Sequence, residues 1–199
     1  MSLDRFYPIV DSAARVGRLV GAGVRLIQLR IKDRDEAEVA GEARAALSIC
    51  EKASAQLVLN DYWRVALDIG ADFIHLGQED LDGADLAAIR ARGVKLGLST
   101  HDEAELARAL ALLPDYIALG PIYPTILKAM RFAPQGLPRL GAWKRRLGSI
   151  ALVAIGGLNI ERGQACLAAG ADVVSVVTDV TLNADPEARA RAWIEATRA

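Results

Sequence analysis

Gly70-Ala71-Asp72-Phe73-Ile74-His75-Leu76 and Gly170-Ala171-Asp172-Val173-Val174-Ser175-Val176-Val177 are the stretches that decide the fold. Each joins a turn to a short apolar run of strand-forming residues. The same punctuation recurs elsewhere. Gly21-Ala22-Gly23 precedes Val24–Arg30, and Pro114-Asp115 precedes Tyr116–Leu119. Working outward, strands are expected at 5–10, 24–30, 56–60, 72–76, 94–98, 115–119, 150–155 and 172–177. Helices are expected at 12–22, 34–54, 62–69, 82–92, 102–112, 136–147, 159–168 and 185–197. In 34–54, Ala43, Ala46, Leu47, Cys50 and Ala53 fall at three- and four-residue spacing and make one apolar stripe. Asp102-Glu103 and Asn159-Ile160-Glu161 supply helix starts, and Pro186 suits a first helical turn. An eightfold strand–helix cadence predicts an α/β fold, a closed (β/α)8 TIM barrel, as one domain over 1–199.

Composition agrees. Hydrophobic residues make up 52% of the 199 and aromatics only 5%, so the core is built on Ala, Leu, Val and Ile, as in parallel sheets covered by helices. The net charge of −1 gives no global field for nucleic acid or an anionic membrane. Cys50 and Cys166 sit among apolar helix positions and read as buried, reduced thiols. No signal-peptide pattern is seen, and no apolar run approaches the ~20 residues of a membrane helix. A cytoplasmic protein is expected.

A barrel places its active site at the C-terminal strand ends. Alternation puts Gln28, Arg30 and Lys32 on one face, the two cations uppermost, a pair suited to a polyphosphate. Asn60-Asp61 ends the third strand and His75-Leu76-Gly77-Gln78-Glu79-Asp80 the fourth. Asp61 and Asp80 could share one Mg²⁺ with substrate phosphate oxygens, or each could cap the helix that follows. Ser99 could donate to a phosphate or cap its own helix. His75 and His101 read as packing or capping residues. The stretch from Gly120 to about Gln135 has neither helix nor strand period, and holds Thr125 and Lys128; it reads as a lid over the mouth. Gly156-Gly157 and Val177-Thr178 lie where barrels often bind phosphate. No Ser-His-Asp logic and no His/Cys cluster supports a triad or a zinc site.

In order along the chain, Gln28-x-Arg30-x-Lys32, Asn60-Asp61, His75-x-Gly77-Gln78-x-Asp80, Ser99-Thr100-His101, Gly120-Pro121-Ile122-Tyr123-Pro124-Thr125 with Lys128, Ala154-Ile155-Gly156-Gly157 and Val177-Thr178 resemble the thiamine phosphate synthase family. The resemblance implies a transferase of thiamine biosynthesis. It would join 4-amino-5-hydroxymethyl-2-methylpyrimidine diphosphate to 4-methyl-5-(2-phosphooxyethyl)thiazole, with Mg²⁺, by a dissociative substitution that releases pyrophosphate. On this reading Arg30, Lys32, Asn60, Ser99 and Lys128 hold the pyrophosphate, and Asp61 and Asp80 bind the metal. Gln28 contacts the pyrimidine; Thr125, Gly156, Gly157, Val177 and Thr178 hold the thiazole phosphate. Thr178 stands where the family usually has serine. Leu127 stands where it commonly has threonine, which removes a polar contact from the loop. The partners are then small-molecule substrates, with no nucleic acid and no membrane, and a homo-oligomer is left open. Rival readings are a tautomerase of the thiazole phosphate, a sugar-phosphate isomerase on the same fold, and a silent binder of thiazole or thiamine phosphate.

Overall fold

The repeated punctuation has a structural reason at the floor of the molecule. Gly70 ends a helix in the left-handed region at φ 75°, where a side chain would be strained, while Ala71 and Ala171 are buried under the helix that precedes each strand. The aspartate then ties neighbouring strands together. Asp115 Oδ2 accepts from Leu96 N at 2.8 Å, Asp172 Oδ2 from Leu152 N at 2.7 Å, and Asp72 Oδ1 from the Gln56 amide at 2.7 Å. The backbone donors of Leu96 and Leu152 at the strand starts are thereby satisfied, and the Asp72 bond comes from the side-chain Nε2 of Gln56.

The computed structural model describes residues 3–125 and 132–198. Strands and helices alternate: β1 (Phe6–Val10), α1 (Ala13–Gly21), β2 (Leu26–Leu29), α2 (Glu36–Lys52), β3 (Gln56–Asn60), α3 (Trp63–Ile69), β4 (Phe73–Leu76), α4 (Leu86–Ala91), β5 (Lys95–Thr100) and α5 (Glu103–Ala111). There follow β6 (Tyr116–Leu119), α6 (Gly136–Leu147), β7 (Ala151–Ile155), α7 (Ile160–Ala168), β8 (Val173–Val176), α8 (Thr178–Thr181) and α9 (Pro186–Thr197). Each strand pairs in parallel with the next, and β8 returns to β1 in the register Phe6↔Val174, Tyr7↔Ser175, Pro8↔Val176. The barrel is closed, and its strands all point one way. Their C-terminal ends therefore share one rim.

The core forms two shells because each strand has two buried faces. The outward face, with Ile27, Leu29, Leu59, Leu76, Leu98 and Leu119, packs under helix residues such as Val16, Ala46, Leu106 and Trp143. The inward face holds Tyr7, Leu26, Val58, Phe73, Tyr116, Val153 and Val173. Each such side chain removed from water contributes about 1.5–3 kcal/mol. Cys50 and Cys166 are buried and unpaired, and burial pushes both thiols up to about 11, consistent with inert core residues.

Helix starts follow local chemistry. Asp35, Asp102, Asn159 and Asp185 each accept an amide proton from the first turn of α2, α5, α7 and α9, and Pro186 opens α9. Two details differ from the sequence expectation. The helix expected at 82–92 is a 3₁₀ turn at Asp80–Asp82 followed by α4. Gly83 breaks the run, and Asp85 starts afresh by accepting from Ala88 N. The expected pattern also lacked α8, a single turn directly after β8. Gln135 N and Gly136 N donate to the carbonyls of Pro121 and Ile122 at 2.8 and 3.1 Å, which pins together the two ends of the 120–135 segment. The lid expectation also covers residues 126–131, among them Leu127 and Lys128, which lie outside the described residues.

Candidate active site

The strand-end residues gather on one rim. Asn60 closes β3, and Asp61 follows it with φ 65°, a conformation asparagine and aspartate tolerate better than most side chains. The turn is short, with Tyr62 N on Asn60 O at 2.8 Å and Trp63 N on Asp61 O at 2.7 Å. It lifts the Asp61 carboxyl toward β4. There Asp80 Oδ2 accepts from Gly77 N at 3.2 Å. A Cβ at Gly77 would sit 2.8 Å from that oxygen, so the glycine makes room for the carboxyl.

The two acids meet. Burial first, then the Asp61 charge and a hydrogen bond between the two carboxyls, raise Asp80 above the ordinary carboxyl value, against the pull of the Gly77 amide and Lys32. Lys32 Nζ lies 2.9 Å from Asp61 Oδ2, with its side chain half-exposed. Arg30 is exposed on the same rim. A cleft of ≈ 290 Å³ opens here, lined by Glu36, Asp61, Tyr62, Trp63, Arg64 and Asp80. Neither acid caps a helix: the N-cap position of α3 is Tyr62, with no side-chain cap, and α4 is capped by Asp85. Two carboxyls held together at a rim, sharing a proton in this arrangement and with Lys32 on Asp61, suit a divalent cation. Among the described residues no group of three His, Cys, Asp or Glu could cage a metal. Two carboxylates with open space beside them match a magnesium ion that completes its shell with water and phosphate oxygens.

Inside the rim lie polar groups. Asn60 is 4% exposed, and its Nδ2 has no hydrogen-bond partner among the described residues. A buried donor left open at a site mouth is a place for a ligand oxygen. Ser175 Oγ, on β8, is likewise buried and unpartnered among them. Ser99 does not cap α5, whose cap is Asp102; its Oγ lies 2.8 Å from His75 Nε2. His75 Nδ1 lies 2.7 Å from the Tyr116 hydroxyl. Burial, helped by Arg30 and opposed by Asp61, lowers His75 to about 4, so its ring is neutral near pH 7. Gln28 is 2% exposed and its Nε2 donates to the Tyr7 hydroxyl at 2.8 Å. It is on the same face as Arg30, as alternation requires, but deep inside the barrel. His101 packs, with Nδ1 2.8 Å from Glu105 Oε2 and its ring stacked on Phe132.

Across the rim, β7 runs into Gly156 and Gly157, at φ 99° and 67°. A Cβ on Gly157 would fall 2.3 Å from Pro124 O, and one on Gly156 would fall 2.6 Å from Pro121 Cβ. The β6 loop thus lies directly on this glycine turn, and Tyr123 N donates to Gly156 O at 3.1 Å. Thr125 is the last described residue of that loop before 126–131. Beside it Val177 and Thr178 open α8 with no side-chain cap. Asp179 fixes this turn: Arg189 Nε and Nη2 donate to its oxygens at 2.7 and 3.1 Å, and Trp193 Nε1 donates at 2.7 Å.

The structure thus brings Arg30, Lys32, Asn60, Asp61, Asp80 and Ser99 to one side of the mouth. Thr125, Gly156, Gly157, Val177 and Thr178 lie at the other. Sequence reading passed over Tyr7, Tyr116 and Ser175. Tyr7 and Tyr116 sit in apolar strand runs, where an aromatic reads as core; the one signal was a hydroxyl on an inward-facing position of a closed barrel.

A parallel (β/α)8 barrel with charged and hydroxyl groups gathered at the C-terminal strand ends is the architecture of a TIM-barrel enzyme. The model for the family Thiamine monophosphate synthase matches residues 6–180. The chain belongs to that family. It is 61% identical over 197 residues to the thiamine-phosphate synthase of Rhizobium etli, covering 99% of this chain and 97% of that protein. It is 49% identical over 191 residues to the thiamine-phosphate synthase of Salmonella agona, covering 96% and 87%. Among solved structures, thiamine phosphate pyrophosphorylase from Pyrococcus furiosus superposes with a TM-score of 0.87 at 24% identity, over 98% of this chain and 95% of that one. That likeness confirms the barrel.

Proposed function

We propose that this chain joins 4-amino-5-hydroxymethyl-2-methylpyrimidine diphosphate to 4-methyl-5-(2-phosphooxyethyl)thiazole, giving thiamine phosphate and pyrophosphate. The observation that carries the reading is the meeting of the Asp61 and Asp80 carboxyls at the rim, with Lys32 on Asp61 and the open Asn60 amide below. Cations and carboxylates crowded at one point suit a metal–polyphosphate ligand.

Asp61 and Asp80 would hold Mg²⁺, which when bound supplies positive charge to the leaving diphosphate. Arg30 and Lys32 add charge from the β2 end. Lys32 is well placed to leave Asp61 for a phosphate oxygen, because its half-exposed side chain makes a bond that water competes for. Asn60 and Ser99 donate hydrogen bonds from below. Lys128, which lies outside the described residues, belongs to the same pyrophosphate-holding set by the family resemblance. These groups favour bond cleavage by being preorganised around the charge that develops on the departing oxygens. The aminopyrimidine carries the positive charge left behind, so no general base is needed. Gly156, Gly157, Val177 and Thr178, with Thr125 of the adjoining loop, hold the thiazole phosphate and aim its ring nitrogen at the reacting carbon. Among the described residues no helix is long and apolar enough to cross a membrane. A cytoplasmic setting belongs to this reading, as do small-molecule partners.

The test is release of pyrophosphate. Purified protein with both substrates and Mg²⁺ is expected to give one pyrophosphate per thiamine phosphate, and none when either substrate is left out. Isomerised thiazole phosphate without pyrophosphate, or binding with no product, would refute the proposal.

A further inference from the structure

Five polar side chains from five strands join in one line across the inside of the barrel. Gln28 Nε2 donates to the Tyr7 hydroxyl at 2.8 Å; the Tyr7 and Tyr116 hydroxyls lie 3.0 Å apart; Tyr116 reaches His75 Nδ1 at 2.7 Å; His75 Nε2 reaches Ser99 Oγ at 2.8 Å. Gln28, Tyr7, Tyr116 and His75 are buried, at 2%, 1%, 0% and 7% exposure, and only the last member, Ser99, is partly open.

The direction of these bonds follows from the closed end. An amide nitrogen can only donate. Gln28 therefore uses a lone pair of the Tyr7 oxygen, and the phenol proton of Tyr7 goes to its other neighbour, Tyr116. Tyr116 in turn gives its proton to His75 Nδ1. With Nδ1 accepting, the ring proton of His75 must sit on Nε2 and point at Ser99 Oγ. Ser99 accepts there, and its own proton is left for the mouth. The reverse order would leave the Tyr7 hydroxyl proton buried with no acceptor, the costly outcome for a buried donor.

The line is built into the packing. A Cβ at Gly97 would lie 2.1 Å from Tyr116 Cζ and 2.5 Å from its hydroxyl oxygen, so glycine at this β5 position is what lets Tyr116 pass to His75. The His75 and Tyr116 rings stack with centroids 5.5 Å apart and 14° between planes.

We propose that Tyr116 and His75 are positioning residues which, with Gln28 and Tyr7, form a one-way hydrogen-bond chain that presents the Ser99 hydroxyl proton to an anionic ligand oxygen in the mouth. The inference rests on the proposed function for the identity of that anion, but the bond order does not. Gln28 then acts on the anion through four intervening groups, with one of its two Nε2 protons on Tyr7.

Two measurements test it. ¹⁵N NMR of histidine-labelled protein reads the tautomer directly, and the chain has only His75 and His101, so a His101→Gln variant assigns the signals. The unmodified protein is expected to show a protonated, pyrrole-type Nε2 and a pyridine-type Nδ1 at His75; the opposite tautomer overturns the proposal. This reading needs neither substrate nor turnover, so it stands apart from the success of the condensation assay. Second, Tyr116→Phe keeps the ring and removes the hydroxyl. It is expected to lower kcat about tenfold when Ser99 is present and less than twofold in a Ser99→Ala background, because both substitutions break one line. Equal losses in both backgrounds, or no loss in the first, overturn it.

Discussion

Asp80→Ala and Asp61→Asn are each expected to lower kcat/KM by about 10²- to 10³-fold, the scale on which a preorganised charge-stabilising group is lost, with no fall in Tm. The two halves of this expectation have one cause. Asp80 is raised above the ordinary carboxyl value by burial and by Asp61. The native state therefore holds a proton that the unfolded chain has already released. Native stability declines as pH rises through that window, and at neutral pH the ionised Asp80 costs the fold. Removing it relieves the cost, while the site loses one of the two carboxyls proposed to hold Mg²⁺. Asparagine is chosen at 61 because it keeps the left-handed backbone at φ 65°. Turnover against Mg²⁺ concentration and a melting curve, taken on the same preparations, check both halves. Loss of turnover in step with loss of Tm would make these residues structural. Wild-type metal dependence would remove them from the site.

Gly157→Ala is the second large effect expected. The residue is in the left-handed region, and a Cβ there would meet Pro124 O at 2.3 Å and Tyr123 O at 2.9 Å. Both contacts are backbone, which cannot swing aside as a long side chain can. The β6 loop must move off the glycine turn, and Thr125 moves with it. The KM for the thiazole phosphate is expected to rise at least about tenfold, with the KM for the pyrimidine diphosphate changing much less, since the proposed site of that substrate lies across the mouth. Steady-state kinetics with each substrate varied in turn reads the split. An equal rise in both constants would mean general collapse of the rim.

Much of this was legible in the chain because a barrel repeats. The glycine and aspartate before β4 and β8, and the aspartate before β6, answer the same floor geometry, so Gly70-Ala71-Asp72 and Gly170-Ala171-Asp172 announce strands directly. Once the strands are placed, the rim follows by counting, and Arg30, Asp61, Asp80 and Ser99 fall on it. Pairings between distant strands did not follow. Nothing local in Phe6–Val10 or Tyr116–Leu119 says that Tyr7 and Tyr116 meet, because their contact depends on barrel closure and on the missing side chain of Gly97. His75 read as a packing residue because sequence gives its neighbours along β4, whereas its partners come from β5 and β6. The break at Gly83 lay in plain view, but Asp82, Asp85 and the apolar positions between them also fit one longer helix.

The most direct test of the central claim is where a divalent ion sits. Crystals of the protein grown with pyrophosphate and Mn²⁺ in place of Mg²⁺ would locate the metal by its anomalous signal. The expected result is one ion between the Asp61 and Asp80 carboxyls and an oxygen of the pyrophosphate, with Lys32 drawn off Asp61 onto the anion. A metal bound elsewhere, or the two carboxyls turned apart with the anion seated away from them, would contradict it.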